Sequence, residues 1–149
     1  SGYLIKALYW PSQLDRNELA TLDAFLDTLV PADETPGALD LGIHETIGVR
    51  IAKDREYRYL VRLGSDWLNT QARSFSKDDF PACDVEERER IVSIAEDGEL
   101  ESPEFVFFTR LRMDCFELCY ADPRTWSGLG FAGPPQPIGF PLHDQPPRT

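Results

Sequence analysis

The side chains able to do chemistry are few, and their spacing suits few reactions. There are two histidines, His44 beside Glu45 and His143 near the C-terminal end. A general base or a Cys-His pair needs its members within hydrogen-bond reach, and nothing in the sequence signals that either histidine converges on a partner. Three cysteines are present: Cys83, Cys115 and Cys119. Cys115-x-x-x-Cys119 puts two thiols on one face of a helix, a geometry that seldom suits a disulfide, whereas Cys83 lies in another segment and is free to pair with either. Two readings stay open: one bridge from Cys83 that leaves one free thiol, or three small buried hydrophobes. Zinc is set aside, because C-x2-C spacing and nearby histidines are both missing, and no metal site is expected.

Carboxylates are abundant: Asp33-Glu34, Asp78-Asp79, Glu86-Glu87, Asp97 and Glu99. A glycosidase-type reaction needs one particular pair, and nothing singles one out. Glu86-Glu87-Arg88-Glu89-Arg90 reads as a solvated helix face. No serine stands in a nucleophile elbow and no Gly-rich loop follows a strand. Gly128-x-Gly130 leads into Phe131 and Gly133 with no helix after it, so it fails as a phosphate cradle. No catalytic residue is assigned, and no cofactor is expected in this chain.

The elements that must position these groups are helices. Asp15 and Glu18 form a capping-box pair ahead of Leu19, Leu22, Phe25, Leu26 and Leu29, which predicts a helix closed by Pro31. Leu39, Ile43, Ile47 and Ile51 share one face of a second helix up to about Lys53, weakened by Gly42 and Gly48. A third runs from about Arg55 to Phe75. Asp84 and Glu87 repeat the capping box for a fourth, from about Val85 to Glu96. Ser102, Pro103 and Glu104 start the fifth, with Phe105, Phe108, Leu111, Cys115, Leu118 and Cys119 inward. Phe107, Met113 and Phe116 leave that helix little purely polar surface, so it is either central or in contact with a second protein.

With 149 residues, 42% hydrophobic, and a net charge of −11, the chain suffices for one folded all-α domain of about five helices over 15–122. Three lysines against twelve arginines in so acidic a chain exclude nucleic acid and anionic membrane as main partners. No run of about 18 apolar residues is present to span a bilayer. Residues 1–14 form a separate N-terminal segment. Its Ser1-Gly2 opening reads as the remnant of a cleaved tag, and Tyr3 to Trp10 is too short and too aromatic for a signal-peptide core.

From Pro123 the character changes. Residues 123–149 hold seven of the twelve prolines and four glycines, with Trp126, Phe131 and Phe140 among them. A flexible linker is poor in aromatics, so this stretch is expected to be an extended arm with its rings docked. Three pieces thus resemble neither core nor catalyst: the Thr35-Pro36-Gly37-Ala38 turn, the helix end at Tyr120, and the aromatic arm. Two readings stay open for them: packing, as a turn, a helix stop and an arm covering the domain's own core, or an interface, because Trp, Tyr, Phe and Arg on such segments anchor protein partners. The expected partner-binding residues are Tyr120, Arg124, Trp126, Phe131 and Phe140.

At these same residues the sequence resembles the gluconate 2-dehydrogenase subunit 3 family, the small subunit of periplasmic flavin-dependent sugar dehydrogenases. The likeness runs from about Leu19 to Pro141, through Leu29-Val-Pro-Ala-Asp-Glu-Thr-Pro-Gly-Ala38, Glu117-Leu-Cys-Tyr-Ala-Asp-Pro123 and Ile138-Gly-Phe-Pro141. It departs at Trp126-Ser-Gly-Leu-Gly-Phe131, where many relatives have a Gly-Gly-Asn type stretch. The resemblance implies a non-catalytic accessory subunit without flavin, paired with a large FAD-bearing flavoprotein and often a cytochrome c subunit. It also implies a periplasmic location, reached by twin-arginine export of the folded complex. Such an address permits a disulfide and adds weight to a bridge from Cys83. The rival readings are a free-standing helical domain with an apolar pocket for a small ligand, and an enzyme using acidic residues with His44.

Overall fold

Capping chemistry sets where the first helix begins. In the computed structural model, which describes residues 13–126, Asp15 accepts from the Glu18 backbone N–H and Glu18 returns the bond to the Asp15 N–H, opening α1 at Arg16–Leu29. The second helix, α2, spans Ile43–Lys53, later than the Leu39 start that the apolar periodicity suggests. Gly42 is the cause: at φ 72° it is left-handed, and residues 39–42 form turns ahead of it. Leu39 therefore packs half-buried from a turn.

Asp54 caps α3, Arg55–Arg73, by accepting from the N–H groups of Glu56 and Tyr57. This helix stops two residues before the expected Phe75. Lys77 N–H bonds the Ala72 carbonyl at 3.1 Å and Ser76 N–H the Arg73 carbonyl at 3.0 Å, a Schellman ending whose left-handed residue is Ser76, at φ 62°. A 3-10 turn over Phe80–Ala82, capped by Asp79, follows. The helix α4, Val85–Glu96, has the expected Asp84/Glu87 capping box, and α5, Pro103–Ala121, starts on Ser102 with Pro103 in its first turn. A second 3-10 turn, Pro123–Thr125, begins what the sequence suggested was an arm without regular structure. Among the described residues the fold is all helix.

The helix α5 is central and packs against each of the other four helices. Its inward face differs from expectation near its start, where Phe107 is buried while Phe105 is half-buried. Gly64 explains the exchange. A Cβ there would overlap the Phe107 ring, so α3 approaches α5 closely only because residue 64 has no side chain and the ring fills the space. Phe25 of α1 completes the cluster, 4.7 Å from Phe107 and 6.5 Å edge-on from Phe108 between ring centroids. Polar ties secure the periphery: buried Arg62 of α3 holds Glu18 at 3.1 Å and the Gln13 carbonyl at 2.7 Å. Asn69 accepts from Phe80 N–H at 2.8 Å and donates to Asn17 at 3.2 Å.

Candidate partner-docking surface

The turn after α1 is built by one glycine and one carboxylate. At Gly37 a Cβ would meet Ala32 N at 2.5 Å, with Pro31 C and Val30 O both at 2.8 Å, so the backbone folds onto itself where only hydrogen fits. Asp33 accepts from the Thr35 N–H at 2.9 Å and from its hydroxyl at 3.1 Å, and the backbone bond chiefly holds the carboxyl below the usual carboxylate range. Ala38 N–H closes the turn on the Val30 carbonyl at 2.9 Å. Pro36 is thereby held against the end of α5.

That end is closed by the residues just after it. Helix termini leave carbonyls without partners, and here the Thr125 hydroxyl donates to the Cys119 carbonyl at 3.0 Å and the Trp126 indole N–H to the Tyr120 carbonyl at 2.9 Å. Arg124 forks onto Asp122 through contacts of 3.0 and 2.7 Å and reaches the Leu41 carbonyl at 3.5 Å. The guanidinium hydrogen bond is the main reason the Asp122 carboxyl lies below its ordinary range. Between turn and helix end is a groove of about 290 Å³, lined by Val30, Thr35, Pro36, Phe116, Cys119, Tyr120 and Thr125.

The structure therefore brings together the Thr35-Pro36-Gly37-Ala38 turn and the stretch holding Tyr120, Arg124 and Trp126, which lie in two separate parts of the sequence. Phe131 and Phe140 lie outside the described residues. Beside the groove, Val106, Met113, Phe116 and Tyr120 stand exposed at spacings of seven, three and four, an apolar stripe along the outside of α5. Arg112 lies over the rings of Phe108 and Phe116, at 5.7 and 5.5 Å from their centroids.

A polar cluster that sequence reasoning missed centres on Asp114 of the same helix. Tyr57 donates its hydroxyl to Asp114 at 2.6 Å, Arg110 donates to the same carboxylate at 3.3 Å, and Arg50 lies 3.6 Å from it and 3.4 Å from Glu117. The Arg110 guanidinium also sits 3.9 Å from the centroid of the Tyr57 ring. Burial, followed by the bond to Asp114, raises the Tyr57 hydroxyl well above its usual range. The cluster ties α2, α3 and α5 together. Its signal in the sequence was a carboxylate, Asp114, between the inward positions Leu111 and Cys115.

The remaining chemical groups stay apart. His44 is half-buried in the first turn of α2, near enough to oppose the upward shift that burial imposes on Asp23. Its Nδ1 is buried without a hydrogen-bond partner. All three cysteines are free, buried thiols. Cys83 donates to the Asp79 carbonyl at 3.7 Å. Cys115 and Cys119 lie one turn apart on α5, and their mutual interaction, ahead of burial, raises the first thiol and lowers the second. Among the described residues no three His, Cys, Asp or Glu side chains gather as a metal would need, and no helix is long and apolar enough to cross a membrane.

A family model described as gluconate 2-dehydrogenase subunit 3 matches residues 16–133, which takes in the groove, the stripe and the whole helical body. No curated protein and no solved structure matches the chain. The chain belongs to the gluconate 2-dehydrogenase subunit 3 family.

Proposed function

We propose that this member of the family is a non-catalytic accessory subunit of an exported flavin-dependent sugar or sugar-acid dehydrogenase of the gluconate 2-dehydrogenase type, docking on the large flavoprotein through the outer face and C-terminal end of α5. The observation that carries the reading is the exposed row of Met113, Phe116 and Tyr120 running into the groove beside Arg124 and Trp126. Exposed aromatic and Met side chains beside arginine are the composition of interface centres, and the hydrogen bonds of Trp126 and Thr125 to the end of α5 hold this one in shape before any partner arrives.

In this role the chemistry belongs to the FAD of the large subunit, and a cytochrome c subunit takes the electrons onward. The small subunit contributes surface and carries the folded flavoprotein through twin-arginine export to the periplasm. Co-expression with a candidate large subunit, followed by size-exclusion chromatography, tests it: a stable complex that contains flavin supports the reading, and separate elution overturns it. The purified chain alone should be colourless and should not reduce a dye with gluconate or glucose. The groove favours the rival reading of a small-ligand domain, which gains if the chain elutes alone and an apolar ligand raises its thermal midpoint.

A further inference from the structure

We propose that the groove beside the end of α5 is filled, in the free chain, by the chain's own proline-rich stretch 134–141, which lies outside the described residues. This inference goes beyond the partner reading and does not depend on it. The last described residues stand at the groove itself: Thr125 forms part of its wall, and the Trp126 indole N–H is tied to the Tyr120 carbonyl at 2.9 Å. Next in the sequence come Ser127-Gly-Leu-Gly-Phe-Ala-Gly133 and then Pro134-Pro-Gln-Pro-Ile-Gly-Phe-Pro141. The glycines at 128, 130 and 133 permit the chain to reverse direction, and the eight residues from Trp126 to Pro134 span at most about 26–29 Å. Held on so short a tether, the prolines meet the groove at a local concentration on the order of millimolar.

Groove and stretch match in chemistry. Among the described residues no Lys, Arg, Asp or Glu lines the groove, and none occurs from Ser127 to Leu142, although the whole chain carries −11. A charged segment would have to shed water there without compensation, and this one does not. Pro36, Phe116 and Tyr120 supply rings to the wall. Grooves lined in this way take proline-rich segments, which are already restricted in φ and lose little freedom on docking. The backbone carbonyls of such a segment have no internal partners, and the exposed Tyr120 brings a phenolic O–H able to donate to one. Val106 and Met113 are exposed outside the groove, so a filled groove leaves that part of the stripe open to a partner.

The test is solution NMR of the full isolated chain, with isotope-labelled and unlabelled copies mixed to separate contacts within one molecule from contacts between two. We expect nuclear Overhauser contacts, within one molecule, from the ring protons of Pro134, Pro135 or Pro137 to those of Phe116 and Tyr120. Pro134→Asp combined with Pro135→Asp should abolish these contacts and shift the Val30, Phe116 and Tyr120 signals. The signals of buried Phe25 and Phe107 should stay in place, which reports that the helical body remains folded. Contacts seen only between molecules give the groove to a second copy, and contacts of the prolines with another face, or with none, leave it to another occupant. Each of these results, or groove signals that ignore the double substitution, overturns the proposal. No partner is in the sample, so failure here leaves the co-elution test of the flavoprotein untouched.

Discussion

Gly64 of α3 lies against the ring of Phe107 of α5 with no room between them for a Cβ. Alanine has the better helix propensity by about 1 kcal/mol, so an exposed site would gain from Gly64→Ala. Here the ring must move inside a packed core, and overpacking of this kind costs about 1–3 kcal/mol. The thermal midpoint should fall by roughly 2–4 °C for each kcal/mol. Gly48 of α2 is the control, since nothing stands within 4 Å of its would-be Cβ. Gly48→Ala should raise the midpoint, by about 0.5–1 kcal/mol of stability. Thermal unfolding of both variants checks the pair, and a change of the same sign in both would contradict the packing described.

The Tyr57–Asp114 hydrogen bond should make the protein sensitive to alkali. Tyr57 is held neutral in the folded chain well above its usual range, while in the unfolded chain it ionises near pH 10. Its contribution is therefore intact below about pH 10 and declines as the pH rises beyond, where only the unfolded chain loses the proton. The thermal midpoint should drop more steeply between about pH 9 and pH 11 in the parent than in Tyr57→Phe. At neutral pH the variant should be less stable by about 1.5–3 kcal/mol, the usual worth of a hydrogen bond to a charged group. Tyrosinate absorbance at high pH checks the assignment directly: an early rise from Tyr57 in the folded protein would refute it.

Ser76 occupies a left-handed position that glycine fills at lower cost. Ser76→Gly should stabilise the chain by about 1 kcal/mol, unless the greater freedom of glycine in the unfolded state cancels the gain. Denaturant unfolding with an unchanged slope and a higher midpoint is the expected result. A lower midpoint would show that the Ser76 side chain matters more than its backbone.

These residues also show why the fold was more legible than the surface. The two capping boxes and the Ser102-Pro103 start name their helices because the signal lies within four residues. The end of α3 lacks the glycine that usually marks it, and Ser76 at a Schellman position carries no composition signal. The late start of α2 hides for a related reason: Leu39 and Ile43 keep helical spacing while Gly42 turns the chain between them. Phe105 and Phe107 cannot be ranked by periodicity, because the choice depends on a glycine 43 positions earlier that only packing brings near. Tyr120, Arg124 and Trp126 were legible as unusual, and the turn at Thr35 was too. Their meeting around one groove was not, since it depends on packing that brings the end of α5 beside the turn after α1.

The last expectation concerns that meeting place. Tyr120 and Phe116 stand exposed on α5, and the Trp126 indole bonds an exposed carbonyl that water can satisfy in its absence. Truncating them removes little from the core, so the thermal midpoint of the isolated chain should stay nearly constant. Association is different, because an aromatic anchor at the centre of an interface typically costs about 2 kcal/mol or more when cut to alanine, about a thirtyfold loss of affinity. Trp126→Ala and Tyr120→Ala should each weaken co-purification of the flavoprotein subunit by about that factor. Phe131→Ala, beyond the described residues, is expected to behave likewise. Asp78→Ala, away from the groove and stripe, should leave binding unchanged. If Trp126→Ala and Tyr120→Ala instead unfold the free chain yet bind normally once folded, the residues after α5 only seal its end, and the docking face must lie on another helix.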